Sequence, residues 1–427
     1  MDRGHYRVGE IPSLTALRFI AAACIILGHA QISRFLHIGG IPIDIGILGM
    51  PLFFCLSGFI IHYVYAGEFR DMGWSRAVGR FAFARFSRLY PLFVFFFAYY
   101  VTANPNFAPL VSDPAILLSY LSLTASWWYW QRGGDLLIQL PYGISWSIAT
   151  EWFFYFAYAF GLYRLARLPS TRVVIMALIV ACTVSFALVW PVEALRQAWE
   201  PLVAQIVPGF IGVDKDPTNS FFRWLLYVSP YFHVWEFIGG VLTAETYFRL
   251  SAAGGLSRRL TEALFWGGIA WIVVALVIYC NVGGGGRLRE YAFLHFLFVT
   301  HMTCLFAPGV YAIILACALG NCVGARALTA KPLVAGGDIS YALYLGGPIG
   351  AAFVPDTVAG TPLGVGLKLL VGCVLATGLY AIIELPAKRW LRTLAAWVLG
   401  WGESWRLRHI EGSPAHAPVT GRQSGNK

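Results

Sequence analysis

The residues with the most chemical consequence begin in LTALRFIAAACIILGHA, close to the start of the chain. An ionisable side chain inside a bilayer costs at least a few kcal/mol, so each one in an apolar run calls for a reason. Arg18 and His29 lie eleven residues apart. That is almost three α-helical turns, so both side chains leave one face, about 16 Å apart along the axis. Such a face carries a fixed cation at one end and a titratable base at the other. The plainer alternative is an Arg18 that snorkels to headgroups and a His29 that simply packs. A second costly residue is Glu151 in SWSIATEWFFYF, at a depth close to that of His29. A carboxylate there would fix the tautomer of His29 and raise its basicity, although a partner on another helix would satisfy it equally. In RFAFARFSRLYPLF, Arg85 and Arg88 are three apart and share a helix face. Two guanidiniums at an aromatic-rich mouth suit bidentate phosphate contacts, or simple anchoring by positive charge.

Other polar residues are weaker candidates. Glu236 stands beside His233, and Glu384 lies in IIELPAKRWLR, where Pro386 is expected to end a helix. His62, His295 and His301 look isolated and suit packing or interfacial roles. Ser57 in LFFCLSGF has no neighbour in the sequence that would activate it. No metal is expected, because no ligand spacing suggests one. There is also no Gly-rich nucleotide loop and no G-x-S-x-G elbow.

The elements that must carry these groups are membrane helices. The chain has 427 residues, 58% of them hydrophobic and only 12% charged, with a mean hydropathy of +0.66. An average soluble domain is roughly 25% charged. Apolar blocks of about 20 residues match a hydrocarbon core of roughly 30 Å. The expected fold is all-α: a polytopic transmembrane bundle of about ten spans near 13–33, 45–65, 86–104, 145–164, 173–190, 226–247, 262–280, 291–320, 335–353 and 363–385. The run 291–320 contains Ala307-Pro308-Gly309 and is expected to kink.

The net charge of +10 reports topology and no nucleic-acid partner, because the basic residues cluster in short loops. With ten spans, nearly every cluster falls on one side, only Arg287 and Arg289 excepted, and both termini are cytoplasmic. The segment 114–144 is then an interfacial or re-entrant stretch on the outer side, with Trp127, Trp128 and Trp130 at the headgroups. Residues 1–390 form one transmembrane domain, and 391–427 a cytoplasmic helix and a disordered Gly/Pro/Ser-rich tail. The first apolar run reads as a retained helix and not as a cleaved signal. The eight Cys read as small buried hydrophobes.

Residues alone mark an intramembrane polar site of unknown purpose, which a transporter of a small polar or glycan-linked substrate would also carry. The motifs in their order resemble the acyltransferase-3 family of bacterial membrane O-acyltransferases. The resemblance runs from about residue 12 to 390. It rests on LTALRFIAAACIILGHA (Arg-x10-His), GMPLFFCLSGFII, ARFSRLYPLF, SWSIATEWFFYF, WEFIGGVLTA, GDISYALYL and ELPAKRWLR. It implies an acyl-CoA donor, commonly acetyl-CoA, entering from the cytoplasm of a cell inner-membrane protein. The acceptor is a hydroxyl of a cell-surface or exported glycan. Arg85 and Arg88 match positions associated with the donor, with Arg18 at the donor or at the developing charge. His29 matches the catalytic base, and Glu151 supports it. Transfer is expected to be direct, without an acyl-enzyme. The chain departs from the family pattern at Pro51, often acidic, and at YLGGP (Tyr344 to Pro348), where the family often has a histidine.

Overall fold

The computed structural model describes residues 9–103, 111–139, 143–284 and 290–398. The described chain is almost wholly helical. Its strands are two short hairpins, His37–Ile38 with Ile41–Pro42 and Gln131–Arg132 with Asp135–Leu136. The helices are α1 (Pro12–His29), α2 (Gly49–Asp71), α3 (Trp74–Ala103), α4 (Pro114–Leu121), α5 (Ser145–Phe160), α6 (Thr171–Ala194), α7 (Arg196–Ile206) and α8 (Pro230–Ala252). They continue with α9 (Arg258–Gly283), α10 (Ala292–Val299), α11 (Ala307–Leu319), α12 (Lys331–Asp338), α13 (Ser340–Ala351), α14 (Pro362–Leu379) and α15 (Leu385–Val398).

Local chemistry accounts for several starts. Ser170, Ser257 and Thr361 accept from the backbone N–H groups of Val173, Leu260 and Gly364, which satisfies orphan donors of the first turn. Pro12, Pro114, Pro230 and Pro362 occupy first turns, where a missing N–H costs nothing.

A helix lies at each of the ten expected spans, but length and apolarity alone support fewer crossings. Six helical stretches pass, and a seventh forms if α10 and α11 act as one span bent by 56°. Pro308 sits in the first turn of α11, so the expected kink falls just upstream of it. The other expected spans are short, such as the 16 residues of α5, or carry inward charge, such as Glu236 and Glu245 of α8. A helix facing a polar interior has less need of an apolar surface. Elsewhere the outward faces are apolar: Met176, Ile179 and Val180 on α6, and Leu370 and Val374 on α14, are exposed. Such contiguous apolar surface fits contact with lipid.

The segment 114–144 does not cross. Its helix α4 has eight residues, about 12 Å of rise. Trp128 is exposed as expected, but Trp127 turns inward and its indole N–H donates to the Ala149 carbonyl at 2.8 Å. Burial of an indole requires a partner for its N–H, and α5 supplies it. The basic run Arg287–Arg289, the first eight residues and the tail beyond 398 lie outside the described residues.

The central contact is α2 against α8. A Cβ on Gly58 would stand 2.1 Å from the Phe237 carbonyl oxygen, and one on Gly240 2.1 Å from that of Cys55. Backbone thus meets backbone, the usual device for bringing membrane helices close. Helices α1 and α3 and the pair α5 and α13 surround this crossing. The YLGGP departure belongs to the same packing: a Cβ on Gly347 would lie 2.0 Å from Ile26 Cδ1. A bulkier residue at 347 would require Ile26 to change its side-chain conformation.

One expectation about a helix end is corrected. Pro386 does not stop α14. A π turn over Tyr380–Glu384 leads directly into α15, which runs to Val398. The wider turn tolerates a residue without an N–H and adds one residue to the helical phase. The helix therefore straddles the expected boundary at 390.

Candidate functional site

Five of the seven motifs converge on one narrow cavity between α1, α2, α3, α5 and α13. Its polar lining includes Arg18 from α1, Ser57 from α2, Arg85 and Arg88 from α3, and Ser147 and Glu151 from α5. Phe53, Phe54 and Met50 close it toward the His29 end. Arg18, Ile60, Arg85 and Arg88 also line a second, much larger cavity that opens at the arginine-rich end. Basic residues from the ends of α2 and α8, from the stretch after α5 and from α15 gather in this vestibule, among them Arg70, Arg249, Arg167 and Lys388. The three arginines therefore stand at a gate between a wide cationic vestibule and a narrow inner chamber.

Inside the chamber the carboxylate of Glu151 is held twice. Ser57 Oγ donates to its Oε1 at 2.9 Å and Tyr155 Oη at 2.6 Å. The second length is that of a charge-assisted O–H···O⁻ bond. Arg85 is buried, with its Nη2 donating to Tyr65 Oη at 2.9 Å. Its guanidinium lies 5.0 Å from the Tyr65 ring centroid and 5.9 Å from that of Tyr155, within cation–π range. Its Nε has no partner, and Glu151 interacts with it electrostatically. Behind the chamber, Ser147 Oγ and Tyr344 Oη meet at 2.7 Å, tying α5 to α13, and Tyr341 Oη donates to the Leu89 carbonyl at 2.8 Å.

Placed against the sequence-derived candidates, Arg18, Arg85, Arg88 and Glu151 come together and His29 stands apart. His29 ends α1, is exposed, and is not part of the chamber wall. The first turn of α2 is level with Ala21 and Ile25, since a Cβ on Gly49 would meet both. His29 lies four residues beyond Ile25, about 6 Å further along the axis. The expected bond from Glu151 to His29 is absent among the described residues. Glu151 sits lower and faces α2 and its own next turn, so Ser57 and Tyr155 satisfy it. Ser57 thus has a partner that its local sequence does not show: Glu151, 94 residues away and on another helix.

Sequence reasoning missed Tyr155 and Tyr65 as well. Tyr155 was within reach, being four residues after Glu151 and hence above it on one face. Nothing local marks Tyr65. Nor is His62 isolated: its ring is buried between Tyr158 Oη at 3.2 Å and Glu245 at 3.4 Å, and Glu245 also holds Arg249 at 2.6 Å. His233 and Glu236 do pair, at 2.7 Å. His295 lies 3.6 Å from Glu193, and His301 bonds the Phe298 carbonyl.

A carboxylate held by two hydroxyls beside three guanidiniums can seat a polar group away from bulk water. Fixed donors and cations of this kind also stabilise negative charge that develops on it. A comparison with protein families matches residues 11–377 to the acyltransferase-3 model, described as an acyltransferase domain. No curated protein and no solved structure matches the chain.

Proposed function

Because this chain belongs to the acyltransferase-3 family and is a membrane acyltransferase, we propose that it moves an acyl group, acetyl in the first instance, from acyl-CoA to a glycan hydroxyl. The donor enters from the cytoplasm through the vestibule of a cell inner-membrane protein, and the acceptor is a cell-surface or exported glycan. The single observation that carries this reading is the shared wall of the two cavities. Arg18, Arg85 and Arg88 line both, so a long anionic donor can leave its phosphates in the vestibule while its thioester enters the chamber.

In the transfer, the acceptor oxygen forms a bond to the acyl carbon and the carbon–sulfur bond breaks. His29, at the opposite end, takes the proton of the hydroxyl and returns it to solvent, and the departing thiolate takes a proton from solvent to become free thiol. Arg18, about 16 Å along the helix from His29, contacts the donor where it passes between the two cavities. Glu151 acts within the chamber, holding Ser57 in place and balancing Arg85, and not by touching His29.

The test is purified protein with radiolabelled acetyl-CoA and a panel of glycans. Labelled glycan and released CoA are expected, with both lost in Arg88→Ala. Arg88 makes no hydrogen bond or ion pair among the described residues, though it interacts electrostatically with Glu384 and Asp338. Flux of an unmodified substrate without labelling would overturn the reading.

Ser57→Ala should be mild, since Tyr155 still holds Glu151. A loss of about tenfold or less in turnover is expected, in keeping with one neutral hydrogen bond of about 1 kcal/mol. Intact-mass analysis with donor alone should show no added acyl group. Acylation of Ser57 together with complete loss in the alanine variant would replace direct transfer by a two-step route.

A further inference from the structure

Helix α15 is amphipathic in the opposite sense to a soluble helix. Glu384 just before it, then Lys388, Arg392 and Ala395, form the inward face, while Trp390, Leu394 and Trp397 are exposed. The π turn at Tyr380–Glu384 sets this phase, because one residue fewer would rotate the face by about 100°. Arg392 is only 3% exposed, yet its Nε and Nη1 have no partner. It interacts electrostatically with Arg85 and Arg88, and Lys388 does the same. Lys388 and Arg392 both line the vestibule. Glu384 and Asp338 interact electrostatically with Arg88 and Lys388, but neither forms an ion pair with them, and the buried Oε2 of Glu384 is itself unpartnered. Among the described residues none of Arg85, Arg88, Lys388 and Arg392 forms an ion pair.

Two buried guanidiniums with unpartnered N–H groups, Arg85 and Arg392, beside the half-buried Arg88 and Lys388, are costly unless an anion joins them. We infer that Lys388 and Arg392 of α15 complete, with Arg85 and Arg88, a binding site for clustered phosphates, occupied by the phosphate-bearing end of the acyl-CoA donor. This rests on the proposed donor and adds residues from the far end of the chain to its site. Arg392 supplies a planar fork suited to two phosphate oxygens, and Lys388 a point charge. The same chemistry is offered by an anionic lipid headgroup, which the experiment separates.

Full-length protein in phosphatidylcholine nanodiscs would be titrated with coenzyme A, by calorimetry, alongside the acyl-transfer assay. Arg392→Met should weaken coenzyme A binding by roughly 10–100-fold, the range for a lost charge-assisted hydrogen bond. Lys388→Gln, a milder change at a half-buried position, should weaken it less. Arg389→Met on the exposed face should leave it unchanged. Raising salt should narrow the difference between wild type and Arg392→Met. If the wild type binds coenzyme A and transfers acyl groups while Arg392→Met and Lys388→Gln bind as tightly, the phosphate site is wrong and the donor reading stands. If the wild type neither binds coenzyme A nor transfers, both fail. Wild-type coenzyme A binding that is weaker in discs containing phosphatidylglycerol than in phosphatidylcholine alone, with that difference lost in Arg392→Met, would identify a lipid site and overturn the assignment.

Discussion

Replacing His29 by alanine is expected to lower the turnover number for acyl transfer by roughly 10²–10⁴-fold, the usual worth of a general base, with coenzyme A binding unchanged. The split follows from position. His29 is at the exposed end of α1, about three turns from Arg18 and outside the chamber wall. A group so placed can meet an acceptor hydroxyl arriving from that end, but not the phosphates in the vestibule. Steady-state kinetics with labelled acetyl-CoA and a reactive glycan, beside calorimetric titration of coenzyme A, measures both halves. His29→Gln guards against a packing defect. It keeps a polar side chain of similar size and cannot accept the proton, so it should fall as far as alanine. Unchanged turnover in both variants would remove His29 from the mechanism and leave Glu151 as the base nearest the reacting groups.

A second large effect is expected from Gly58→Val. The new Cβ would stand 2.1 Å from the Phe237 carbonyl oxygen, and no side-chain rotation can relieve a contact with backbone. Forcing extra atoms into a tight core typically costs about 1–3 kcal/mol, occasionally more, when side chains can adjust. Here α2 and α8 must separate, and with them Ser57, Phe54 and the bonds to α5. The expected result is loss of monodisperse protein on extraction, or a large fall in unfolding temperature by scanning fluorimetry. Gly267→Ala is the control, because nothing lies within 4 Å of its Cβ position on α9. A Gly58→Val protein as stable as wild type would show that the crossing is looser than its geometry.

Much of the site was legible because its signals are local to one helix. The spacing of Arg85 and Arg88 puts them on one face, and both line the chamber. Arg18 was marked by the cost of its charge among apolar residues. The same reasoning failed where a partner came from elsewhere. Glu151 was matched to His29 by depth, but depth along separate helices does not say which faces meet. The α2–α8 crossing and the position of α5 turn Glu151 toward Ser57 instead. Pro386 was read as a helix end from its missing N–H, and the π turn before it removed that constraint.

What the sequence by itself determined is the class of protein and the inventory of its chemistry. Apolar blocks specify membrane helices, because backbone polar groups in lipid must be satisfied within the helix. Motif order carries the acyltransferase family. Helical periodicity fixes which residues of one helix share a face. Only the tertiary structure decided the pairings across helices: Ser57 with Glu151, Arg85 with Tyr65, and Lys388 and Arg392 turned toward the vestibule. These depend on how closely glycines let helices approach and on the phase that one π turn adds. Neither is set by the residues that end up in contact, so neither could be read from them.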